Sequence, residues 1–97
     1  MDVHLITTDQ TSFELLETIN GALNVTSVIV PANRRHTRKV ARVVKMAECR
    51  QIPVYIHHLR SRFPRNLPPA CAAISWLYSQ IICEQDLVRY PMGILNM

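Results

Sequence analysis

The chain has 97 residues, 48% hydrophobic and 19% charged, with two glycines and a formal net charge of +4, values that exclude a disordered or fibrous chain. They fit one domain with one core, burying well under three quarters of its unfolded surface. Three cysteines without CxxC spacing indicate neither a disulfide framework nor a zinc site, and the opening apolar run over 3–6 is too short for a signal peptide or membrane helix, so the sequence reads as a cytoplasmic protein that does not enter a membrane.

The first predicted element is a short strand over 3–7, followed by a turn at Thr8, Asp9 and Gln10. Thr11-Ser12-Phe13-Glu14 has the form of a capping box, in which the Thr11 hydroxyl accepts from the third helical amide and Glu14 reaches back. It predicts a helix from Thr11 to about Asn20 with Phe13, Leu16 and Ile19 or Asn20 on one face and Asn20-Gly21 as its stop. A β-branched run over 25–30 predicts a second strand, ended by Pro31. A second helix is predicted over 37–49, with Val40, Val43, Val44 and Ala47 inward and its basic residues outward. Residues 52–56 read as a third strand, placed near the sheet edge by Pro53. Residues 57–66 are polar and basic, with room for one helical turn, and Leu67-Pro68-Pro69 breaks that segment before a fourth strand over 72–77. Residues 78–89 read as a loop and short helix, and 92–97 as a last, apolar strand. A sequence that stops inside an apolar strand reads as a domain whose continuation lies beyond Met97.

Strands alternating with helical crossovers predict a parallel sheet covered on both faces, with ligands at the carboxyl ends of the strands. Thr7-Thr8-Asp9-Gln10 lacks the glycines of a dinucleotide or phosphate-cradling loop, which argues against a nicotinamide-dependent or ATP-dependent enzyme. Charge is local. Residues 1–33 carry Asp2, Asp9, Glu14 and Glu17 and no Lys or Arg, whereas Arg34, Arg35, Arg38, Lys39, Arg42 and Lys45 form a run without an acid. Such a patch is either a solvated helix face or a collector of anionic ligands. Of the four histidines, His4 falls in a strand, His36 in the basic loop, and His57 and His58 point to opposite sides if extended, so they do not form a metal site. Ser75 and Cys83 have no base at a recognisable spacing, which leaves a nucleophilic hydrolase unsupported.

Val28-Ile29-Val30-Pro31-Ala32-Asn33-Arg34, then Val40-Ala41-Arg42, Ile52-Pro53-Val54-Tyr55 and Gly93-Ile94-Leu95-Asn96 occur in an order and at distances that resemble the formyltransferases using 10-formyltetrahydrofolate. The similarity is greatest to members acting on sugar nucleotides, whose fourth strand and loop are aromatic, as Trp76-Leu77-Tyr78 are here, and extends to the methionyl-tRNA formyltransferases. Arg50-Gln51 stands where the family has glycine. The resemblance implies the N-terminal, folate-side part of such an enzyme: an α/β, Rossmann-like parallel sheet of about five strands with flanking helices.

The resemblance further implies that Asn96 is the asparagine of the family's Asn-x-His, with the histidine and a later aspartate lying outside these 97 residues, so that the chain by itself is inactive. Formyl transfer to an amine passes through a tetrahedral intermediate and needs an oxyanion donor and a proton carrier. The pterin of the co-substrate is expected in a slot formed by Leu77, Tyr78, Gln80, Ile81 and Ile82, with Met92 as its floor; the alternative for these residues is plain core packing. The acceptor amine is not specified. The apolar strand over 92–97 is expected to self-associate. The competing reading is a small basic interaction module that would bind nucleic acid through residues 34–45, but no Phe, Tyr or Trp falls between Phe13 and Tyr55 to stack on bases.

Overall fold

The computed structural model describes residues 1–19, 23–34 and 37–97, and only the backbone of Leu15, Glu17, Thr18 and Ile19. The predicted stop at Asn20-Gly21, the facing of Ile19, and Arg35 and His36 of the basic loop lie outside the described residues. Strand β1 (Asp2–Thr7) is buried from Val3 onward. A continuous run of this kind suits a strand covered on both faces. Helix α1 (Thr11–Ile19), β2 (Asn24–Pro31), a 3₁₀ turn (Ala32–Arg34), α2 (Arg38–Cys49), β3 (Val54–His57), β4 (Ala72–Trp76), α3 (Glu84–Leu87) and β5 (Ile94–Asn96) follow. All strand pairings are parallel, in the order β3-β2-β1-β4-β5. The expected five-stranded parallel α/β sheet is therefore what forms, and β3 lies at an edge, with Pro53 ahead of it contributing only its carbonyl to the Val28 amide.

Alternation along the strands sorts two apolar layers. Leu5, Val28, Val30 and Ile74 face Phe13 and Leu16 of α1 and Val40, Val43 and Ala47 of α2. Ile6, Ile29 and Ala73 face Phe63, Leu67, Ala70 and Tyr90. The second face is thus covered by the 58–71 connector and Tyr90, and the helical turn expected within 57–66 does not form. His57 belongs to β3, and prolines 64, 68 and 69 withhold the amide donors a helix needs. His4 sits in this layer fully buried, its Nδ1 2.7 Å from the Tyr90 hydroxyl; burial lowers its pKa from 6.5 to about 4, with Arg89 adding to the shift.

The helix ends differ instructively from expectation. At α1 the Thr11 hydroxyl donates to Asp9 Oδ1 (3.0 Å), which also accepts from the Thr11 amide (2.9 Å). The cap is Asp9, two residues upstream of the one predicted, and the Thr11 amide holds its carboxyl below the usual value. In α2 the N-cap is Thr37, accepting from the Val40 amide. Its C-terminus closes in a Schellman motif: the Ile52 amide donates to Ala47, the Gln51 amide to Glu48, and Gln51 has φ 58°. No helix among the described residues is long and apolar enough to cross a membrane.

Candidate functional site

In this strand order the direction of winding reverses between β1 and β4, and that crevice is where parallel sheets ordinarily take ligands. Here it is bridged. The Thr8 hydroxyl after β1 donates to the carbonyl of Leu77 after β4 (2.6 Å), and the Trp76 indole N–H donates to Thr11 Oγ1 (3.1 Å). Leu77 has φ 49°, which turns the chain back across the carboxyl ends of the sheet.

The loop is then anchored at the far edge, on His57. His57 Nε2 lies 2.8 Å from the Ser61 carbonyl, which can only accept, so this network assigns the ring proton to Nε2. Nδ1 is consequently an acceptor, and the Tyr78 hydroxyl donates to it at 2.6 Å while the two rings stack 5.8 Å apart. Gln80 Nε2 donates to the His57 carbonyl (2.7 Å) and lies 3.2 Å from Nδ1; its Oε1 accepts from the Asn33 amide (3.4 Å). Burial raises the Tyr78 pKa, so the hydroxyl stays protonated as a donor at neutral pH.

Between this loop and the β4–β5 edge lies a cavity of about 390 Å³. Its polar groups come from Ser75, Tyr78, Gln80 and Asn96, its apolar walls from Ile82, Leu87 and Ile94, and Gly93 completes the lining. Ser75 and Asn96 are register partners across β4 and β5, which places both at the same height in the cavity. No lining residue is charged, so the arrangement suits an uncharged, flat, polar group held by hydroxyl and amide contacts between aliphatic walls.

Of the residues the sequence put forward, Tyr78, Gln80, Ile82 and Asn96 therefore share one cavity. Leu77 lines a separate cavity of about 290 Å³ with Thr8, Arg34, Thr37, Lys39 and Ser79. Ile81 is 87% exposed and lines neither. Met92 is 66% exposed in the turn before β5, where its amide bonds Cys71 ahead of β4; it sits at the amino end of the strand pair and does not form the cavity floor. Ser75 and His57 were missed in these roles. The signal for Ser75 was the alignment of two adjacent parallel strands, and for His57 its position one residue past the predicted end of β3. Among the described residues no group of His, Cys, Asp and Glu could hold a metal ion. No protein-family model, curated protein or solved structure matches this chain.

Proposed function

We propose that this chain is the folate-side part of a domain that transfers a formyl group from 10-formyltetrahydrofolate to an amine. The observation that carries the reading is the cavity that gathers Asn96, Tyr78, Gln80 and Ile82, with its neutral polar lining matched to a pterin ring. In the reaction the amine nitrogen attacks the formyl carbon, a tetrahedral oxyanion forms, the bond to the folate nitrogen breaks, and a proton passes from the incoming amine to the departing nitrogen. The Asn96 side-chain amide is suited to donate to that oxyanion. Proton transfer falls to the histidine that the family resemblance pairs with Asn96, which is not among these 97 residues.

Titration of the chain with 5-formyltetrahydrofolate tests the binding half: an affinity of about −4 to −8 kcal/mol, micromolar to millimolar, is expected. Ile82→Asp should abolish the heat and Ile81→Asp should leave it, because only Ile82 lines the cavity. No saturable heat, or equal effects of the two substitutions, refutes the assignment. In a chain extended by a family-type continuation, Asn96→Ala should lower turnover by roughly 10²–10³, as for one lost oxyanion donor. The basic module remains the second reading, supported by Arg34 and Lys39 framing the cavity at Thr8 and Thr37; it requires steeply salt-dependent oligonucleotide binding that the Ile82 substitution does not touch.

A further inference from the structure

Helix α3 lends Leu87 to the cavity above and Asp86 to another, of about 540 Å³, whose remaining lining is Arg62, Phe63, Pro64, Arg65 and Arg89. Asp86 is 1% exposed. Its Oδ2 accepts from the Phe63 amide at 2.8 Å, but its Oδ1 is buried without a hydrogen-bond partner among the described residues. The guanidiniums of Arg89 and Arg62 approach that oxygen only to 3.7 and 4.0 Å, beyond hydrogen-bond reach. Arg89 spends one donor on the Leu67 carbonyl (3.3 Å), and Arg65 has no ion pair among the described residues. Three guanidiniums and one carboxylate leave the cavity with a formal charge of +2.

We propose that this cavity is a binding site for a phosphate monoester. A monoester carries about −1.5 to −2 charge near neutral pH, which matches the excess here, and its tetrahedral oxygens accept from the planar donor forks that Asp86 leaves unused. Asp86 acts as a positioning residue: from its buried place it draws Arg62 and Arg89 together at one rim. A solvated arginine cluster does not need a buried carboxylate in the lining of a concave surface. The site is independent of the cavity at Asn96 and stands whether or not that cavity takes a folate.

Calorimetric titration of the 97-residue chain at low ionic strength with inorganic phosphate and with glycerol 3-phosphate tests the proposal. Saturable one-to-one binding is expected. It should weaken at least about tenfold in Arg62→Gln/Arg65→Gln, both exposed and outside the core, while Arg38→Gln/Arg42→Gln on α2 leaves it nearly unchanged. Binding of glycerol 3-phosphate at least as tight as that of the free ion supports the site; markedly weaker binding of the ester overturns the monoester assignment. Arg62→Lys/Arg65→Lys should restore only part of the affinity, since charge returns without the fork. Absence of saturable heat, equal weakening by the α2 substitutions, or full recovery with lysine would overturn it in favour of diffuse charge. Binding of an oligonucleotide through these arginines without competition from the monoester would overturn the monoester assignment as well.

Discussion

A neutral imidazole in the middle of the sheet makes the fold sensitive to mild acid. His4 has a folded-state pKa of about 4 against 6.5 for the free side chain, so between those values the unfolded chain binds more protons than the native one. Stability therefore falls as pH drops from about 6.5 toward 4, by up to about 3 kcal/mol for this one group. The groups facing it relieve this only in part: Tyr90 supplies a hydroxyl at Nδ1, its own pKa raised by burial, Arg89 repels the protonated ring, and the Pro68 backbone, which favours the protonated ring, offsets less than burial costs. Urea denaturation at pH 7, 5.5 and 4 measures the effect. A His4→Gln variant, less stable at pH 7, should show a visibly flatter profile through the same window.

At the level of the elements, α2 was the most legible part of the chain because its evidence is internal: an apolar stripe at Val40, Val43 and Ala47 with a capping threonine ahead of it. Its C-terminus also carries the one departure from the resembled family that the backbone registers. Gln51 occupies the left-handed C′ position that glycine adopts without a Cβ penalty. Gln51→Gly is expected to raise stability by about 0.5 kcal/mol, the left-handed strain relieved exceeding the entropy glycine adds to the unfolded chain; thermal denaturation checks it. The 58–71 connector was illegible for the opposite reason. Its course is set by partners distant in sequence, Asp86 holding the Phe63 amide and Arg89 the Leu67 carbonyl, and no local pattern encodes those. The candidate site divides likewise. Asn96 and Tyr78 were put forward by the resemblance, and which of two adjacent isoleucines enters the cavity depends on how Leu77, at positive φ, resets the direction of the loop.

For the whole molecule, the sheet ends on one side in β5, a three-residue strand whose outer flank has no paired strand among the described residues and whose Leu95 is 60% exposed. With Val88 at 77% and Met97 at 45% exposure nearby in sequence, this edge is expected to recruit a second copy of the chain. Sedimentation equilibrium should show the average mass rising with concentration, and Leu95→Lys, which puts a charge on the edge, should shift the population toward monomer. The centre of the sheet has a temporal meaning. Because β1 pairs with β2 on one side and β4 on the other, it can meet one neighbour early in synthesis, yet must wait for residues 72–76 to gain the second. During that interval Val3–Thr7 presents a naked apolar margin, so synthesis rather than the finished fold is when this protein is most exposed to misassociation, and a stall before residue 72 should make the nascent chain a substrate for chaperones.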